Sequence, residues 1–343
     1  MKHTSKKLAS LLLCLGILLT SCGDRNDTAD TDTTAADTQI TDTAAAATAA
    51  ESEAPVEYAP LLKIGDYTVY EDEFNYYYIN YKYEFDGGDD TYWENNPGAE
   101  ELLNQYVTGA LRSNYAIFAL AEENGVTLDE ADEADIEATF AEMQTYYGGA
   151  EELAVAFETY ALTERCYREI LKASILESKL YTHLSESGAI APTEEDVRAD
   201  LEANYVRVLH VLITNDEGDD PEANLQLAND ILVRADAGED FMSLVEQYGE
   251  DPGMVDNPDG YYFTYDQMIK EFEDAAFELM ENEISGIVEV SSYYEGYHII
   301  KRVPMEEEYI AAHLDEFRAV LATNIFYNML EERALAFELT VVE

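Results

Sequence analysis

Cysteine, basic side chains and long apolar runs are all scarce in this chain, and each scarcity excludes something. Three cysteines occur in 343 residues: Cys14, Cys22 and Cys166. The first two lie in or beside an N-terminal apolar stretch, so no internal disulfide framework is expected. Cys166, in TERCYREIL, sits in helical text and reads as a small buried apolar group rather than a reactive thiol. Lysine and arginine total 19 against 73 aspartates and glutamates, a formal charge of −54. Too few basic residues remain to neutralise a phosphate backbone, which excludes nucleic acid as a partner. The same charge repels anionic lipid head groups and would steer basic partners. An acid-rich surface with no specific partner accounts for it equally. The longest apolar run, from Leu8 to Leu19, is too short to cross a bilayer.

Familiar catalytic and metal patterns are missing as well. There is no G-x-S-x-G for a nucleophile elbow and no H-E-x-x-H for zinc. The acidic stretches at 215–220 and 250–259 do not have calcium-loop spacing and read as solvated loops. No metal and no cofactor is expected. His183 and His313 fall in helical text and need no special role.

What is present begins with the N-terminus. Lys2, Lys6 and Lys7 precede the apolar run, the arrangement of a secretory signal over residues 1–21. These residues carry three lysines and no acid, so the chain without them is more negative still. The run ends in LLTSCGD, which resembles the lipobox of bacterial lipoproteins. That resemblance implies cleavage before Cys22 and a lipid on its sulfur, with two or three acyl chains giving a stable anchor. An ordinary signal peptide cut nearby is the alternative. Residues 22–57 are mostly Thr, Ala and Asp, too poor in large apolar groups to fold. As a coil they form a tether of roughly 30 Å.

Globular text follows. A strand is expected over Lys63–Tyr70, then a helix whose Phe74, Tyr77, Tyr78, Tyr81 and Phe85 recur at helical spacing, an aromatic stripe that reads as packing. Further helices are expected at 98–124, 127–147, 150–161 and 163–187, with a capping box in TLDE at Thr127–Glu130. Thr193 is placed to cap the helix in PTEEDVRADLEANY. Residues 205–304 have a different texture: strand, three helices, strand. After them comes one amphipathic helix of about 30 residues whose apolar stripe includes Ile310, Leu314, Phe317, Leu321, Ile325 and Leu330. The middle segment therefore reads as a domain inserted between two parts of a helical one: 58–204 and 305–343.

The strand VRVLHVLIT, Val206–Thr214, raises a specific question. Side chains alternate along a strand, so Val206, Val208, His210 and Leu212 share a face. An imidazole on such a face is ordinarily a buried group with one structural partner. Here a second histidine, His298, lies in the closing strand YEGYHIIKRV, and Asp251 lies in GEDP between them. The helix expected in DQMIKEFEDAAFEL puts Met268, Phe272, Ala275, Ala276 and Leu279 on one side.

This ordered set resembles the parvulin family of peptidyl-prolyl isomerases, over about 100 residues. The whole chain is similar to PrsA-like foldase lipoproteins. The resemblance implies an α+β fold: a parvulin-like domain, a small antiparallel sheet with surrounding helices, inserted in a mainly helical SurA/PrsA-like chaperone domain. It implies catalytic roles for His210, Asp251 and His298, and substrate-binding roles for Met268 and Phe272, around the proline ring, and for Phe263, at the pocket wall. It implies as partners unfolded secreted chains with X–Pro bonds, at the outer face of a bacterial membrane reached through the lipid on Cys22. In NPDGYYFTYDQM the chain departs from the family: Gly260-Tyr261 stands where an apolar residue followed by glycine is usual. SSYYEGYHII is longer than usual, and Glu295 falls where a hydroxyl residue is common. The loop NDEGDDPEAN has no Lys or Arg to hold a phosphate, so unphosphorylated X–Pro bonds are the expected substrates. Two other readings stay open. One is a chaperone that binds chains through the parvulin module but isomerises poorly. The other is an adhesive or solute-binding surface lipoprotein, although an α/β ligand-binding pattern is missing.

Overall fold

A computed structural model of the chain describes residues 58–89 and 91–342. The signal segment, Cys22 and the tether lie outside the described residues. The fold is α+β and divides into two compact units: one contains the described residues up to His183 together with Phe326 onward, the other Leu184–Ile325.

The first unit opens with β1 (Pro60–Ile64) and β2 (Tyr67–Tyr70), where a single strand over 63–70 was expected. The Gly65-Asp66 pair turns the chain between them, with Gly65 at φ +58, and the two strands pair antiparallel. Helices α1 (Glu71–Asp86), α2 (Thr91–Asn95), α3 (Ala99–Glu123), α4 (Glu130–Tyr147), α5 (Ala150–Thr159) and α6 (Glu164–Glu186) follow. The aromatic stripe of α1 does pack: the Tyr81 and Phe85 rings lie 6.0 and 5.5 Å from that of Tyr106 on α3. The start of α4 differs from expectation. Asp129, not Thr127, is the cap. Its carboxylate accepts from the Ala131 and Asp132 N–H groups, and Asp132 reaches back to the Asp129 N–H. An ionised carboxylate two residues nearer the helix satisfies two free N–H groups at once. Cys166 is buried among Ile136, Phe140, Leu153 and Phe157, and burial pushes its thiol well above the ordinary range.

The second unit holds α7 (Glu194–Asn204), β3 (Val206–Thr214), α8 (Pro221–Asp236), α9 (Phe241–Tyr248), α10 (Pro252–Asp256), β4 (Tyr261–Phe263), α11 (Lys270–Glu278), β5 (Val288–Val290), β6 (Gly296–Val303) and α12 (Glu307–Ala312). Thr193 caps α7 as expected, accepting from the Asp196 N–H at 3.2 Å. The four strands form one antiparallel sheet in the order β4-β3-β6-β5. One face carries Val211, Ile213, Tyr297 and Ile299, buried against Ala228 and Ile231 of α8 and Phe241 and Leu244 of α9. The other carries Val206, Val208 and Ile300, buried against Phe272 and Ala276 of α11. Each fully buried aliphatic side chain contributes roughly 1.5–3 kcal/mol, so the sheet is held from both sides.

Three expectations need correction here. The short α10 and β4 were not anticipated. Helix α11 begins at Lys270 rather than 266, because the Glu273 carboxylate accepts from the Gln267 N–H at 3.2 Å and holds the preceding residues as a loop. The long terminal helix is interrupted between α12 and α13 (Leu314–Leu335). His313 sits at the break, its Nδ1–H donating to the Tyr309 carbonyl at 2.8 Å and its ring stacked 3.9 Å from Tyr309's. Beyond α13, β7 (Leu339–Val341) pairs with β1 in the first unit.

Candidate active site

The site is built from the pairing of β3 with β6. That register sets His210 opposite Ile300 and His298 opposite Leu212. The histidines are therefore diagonal neighbours on one face of the sheet. Both are 2% exposed, and their Nδ1 atoms are 3.0 Å apart. Gly249 ends α9, and Asp251 then caps α10, with Pro252 at the first helical position. Asp251 Oδ1 accepts from the Gly253 N–H at 2.9 Å, which leaves Oδ2 facing His210 Nε2 at 2.9 Å.

Around this polar line the walls are aromatic. The Phe272 ring meets both imidazoles edge-on, at 5.0 Å from His210 and 5.1 Å from His298. Phe263 is enclosed, its ring 5.8 Å from Phe272 and 5.9 Å from Phe277. Met268 lies on the loop before α11, half-buried against the same apolar cluster.

Two tyrosines that sequence reasoning did not place in the site belong to it geometrically. The Tyr261 hydroxyl donates to Asp251 Oδ2 at 2.8 Å, and its ring lies 5.5 Å from that of His210. The Tyr294 hydroxyl is 2.7 Å from His298 Nε2. The unusual Gly260-Tyr261 pair was the available signal for the first. Gly260 has φ +89, and a Cβ there would stand 2.6 Å from the Val208 carbonyl oxygen. For the second, the lengthened SSYYEGYHII loop drew notice to Glu295, whose backbone carbonyl accepts from the Asn215 N–H at 2.8 Å.

The electrostatics follow from burial and these bonds. Hydrogen bonds from His210, Tyr261 and the Gly253 N–H hold the Asp251 carboxyl well below the usual carboxylate range. Burial, with His210 beside it, lowers His298 to about 3. Burial and the Asp251 charge push the Tyr261 hydroxyl up. At neutral pH the site thus holds an ionised carboxylate and a neutral His298. Among the described residues, no group of three or more His, Cys, Asp or Glu side chains is arranged to hold a metal ion.

The sequence pattern of the PPIC-type PPIASE domain matches residues 195–304, the segment that contains this site. The chain carries a parvulin domain. The chain is 32% identical over 149 residues to Foldase protein PrsA of Geobacillus sp. (strain WCH70), covering 42% of this chain and 48% of that protein. It is 28% identical over 241 residues to Foldase protein PrsA of Oceanobacillus iheyensis, covering 68% and 69%. The chain thus spans about half the length of the Geobacillus relative. Among solved structures, it is similar to the peptidylprolyl isomerase PrsA from Bacillus cereus: 23% identity, 69% of this chain, 83% of that one and a TM-score of 0.31. The parvulin of Nitrosopumilus maritimus is 32% identical and covers 30% of this chain and 98% of its own, with a TM-score of 0.24.

A parvulin domain acts on the X–Pro amide, whose rotation is opposed by a barrier of about 18–20 kcal/mol from C–N double-bond character. No bond need break. Lowering the barrier requires better binding of the twisted amide than of either planar form. An apolar seat for the ring disfavours the charge-separated planar resonance form, and ordered dipoles beside it stabilise the twisted one. Phe272 and the His298–His210–Asp251 line set an aromatic wall and ordered dipoles side by side.

Proposed function

We propose that this protein is an extracytoplasmic peptidyl-prolyl isomerase and foldase, acting on X–Pro bonds of secreted chains as they fold. The observation that carries the reading is the hydrogen-bonded line His298–His210–Asp251 set edge-on to Phe272. In this reading His210, His298 and Asp251 are the catalytic group. Phe272 and Met268 hold the proline ring, and Phe263 sets the wall against which Phe272 packs. The domain organisation we propose is a signal over 1–21, a lipidated Cys22 with a tether to 57, a helical chaperone part over 58–204, the parvulin domain over 205–304, and a C-terminal helical part over 305–343. Lipid on Cys22 would keep the protein at the outer membrane face, and the helical parts would hold unfolded chains.

Charge supports unphosphorylated substrates. The segment following β3 runs NDEGDD, and the carboxylates there would repel a substrate phosphate. The deciding experiment is cis/trans exchange of an Ala–Pro peptide by NMR exchange spectroscopy. Clear acceleration is expected, falling at least tenfold in His210→Ala and in Asp251→Ala, since each removes the partner of a buried polar group. A phosphoserine–proline peptide should be turned over more slowly than its unphosphorylated counterpart. If folded wild type leaves exchange unchanged, the isomerase reading is wrong, and the parvulin domain serves chain binding, to be measured by suppression of client aggregation.

A further inference from the structure

The donor sense of the hydrogen bonds in the site can be followed from one end to the other. Ionised Asp251 has only acceptors, so His210 Nε2, 2.9 Å away, carries a proton. With a single proton, placed on Nε2, His210 presents a bare Nδ1 to His298. Two bare nitrogens 3.0 Å apart would repel, so His298 carries its proton on Nδ1 and donates to His210. That leaves His298 Nε2 bare, within 2.7 Å of the Tyr294 hydroxyl, which must donate to it. At the opposite end the Tyr261 hydroxyl donates to the same Asp251 oxygen that His210 uses.

From this geometry we infer that Tyr294 and Tyr261 are positioning residues for the isomerase, terminating a five-residue chain whose hydrogen bonds fix one tautomer on each histidine. The inference rests on the isomerase reading above. The reverse order would set a bare His210 Nε2 against the Asp251 carboxylate, two acceptors face to face. Without Tyr294, the last acceptor of the chain is left unsatisfied on a histidine only 2% exposed. Tyr261 acts at the other end in a second way, because its ring also lies against the imidazole of His210. Gly260 makes that placement possible, since a side chain there would strike the Val208 carbonyl. The two phenols thus hold the dipoles of the histidine pair in one direction beside the substrate amide, and the preorganised field is what a twisted amide needs.

Imidazole nitrogen NMR of the full chain at pH 7 tests this directly. In wild type, His298 should show its proton on Nδ1, the less common tautomer of a free imidazole, and His210 should show its proton on Nε2. Tyr294→Phe should shift the His298 Nε2 resonance to its unbonded position and lower kcat/KM about tenfold, the loss expected for one hydrogen bond. Tyr261→Phe should move the His210 resonances and lower kcat/KM without changing KM. Tyr293→Phe, on the same loop and 88% exposed, should change neither. A wild-type His298 protonated on Nε2 overturns the inference whatever the activity, and needs no variant to fold. So does a Tyr294→Phe protein with unchanged resonances and unchanged kcat/KM. Ordered tautomers in a protein that does not accelerate exchange would overturn the isomerase reading instead, leaving the hydrogen-bond assignment in place.

Discussion

A buried imidazole between a second imidazole and a phenol, as His298 is, has little freedom in where it keeps its proton, and that constraint has a consequence for acid stability. His298 protonates in the unfolded chain near 6.5 but in the folded one at about 3. Between those values the unfolded chain binds a proton that the folded chain refuses. Stability contributed by neutral His298 is therefore complete above 6.5 and declines as pH falls toward 3, by up to about 1.4 kcal/mol per pH unit. Asp251 works in the same direction at lower pH. Its folded carboxyl lies below the unfolded one, so its contribution is present above the unfolded value near 4 and is lost as pH falls through the folded value. Urea titrations at pH 7, 6 and 5, followed through β3 and β6 amide signals, should show the midpoint falling steadily in wild type. His298→Gln should flatten that fall, and an equally steep fall in the variant would remove His298 as its cause.

At the scale of elements, the entry into β4 deserves a mutation of its own. Gly260 combines φ +89 with the Val208 carbonyl at 2.6 Å from any added Cβ. Gly260→Ala should cost about 1–3 kcal/mol and displace Tyr261 from Asp251. Gly286→Ala, where nothing lies within 4 Å, should be close to neutral. Thermal unfolding of the two variants side by side makes the comparison, and equal midpoints would refute the crowding argument. Legibility in the sequence also divides by element. β3 could be read because its nine residues are mostly β-branched or aliphatic, the run expected of a strand buried on both faces, and His210 stood out against it. β4 and β7 are three residues each, too short for any period to register. The break between α12 and α13 depends on where one histidine ring points, since an amphipathic pattern continues straight across His313. The His210, His298 and Asp251 positions were legible as an ordered set. Tyr261 and Tyr294 were not, because a phenol's partner is fixed by turn geometry: Asp251 lies ten residues before Tyr261, across a short helix and a left-handed glycine.

For the molecule as a whole, the large excess of carboxylates would be repelled by negative head groups, so in the proposed arrangement residence at a membrane would come from the lipid on Cys22. Replacing Cys22 by serine should move the protein from the membrane fraction to the medium. A Cys22→Ser protein that stays with the membrane would refute the lipid anchor. The arrangement of the sheet also sets a chronology. His210 and His298 are 88 residues apart, and β6, which brings the second of them, is the last strand of its sheet. A chain delivered from its N-terminus across a membrane presents β3 first, with nothing yet to pair on that side. Every earlier part can be outside and collapsed while the reaction centre still does not exist. Under the function proposed above, the protein can help no chain, its own included, until β6, which ends at Val303, has emerged.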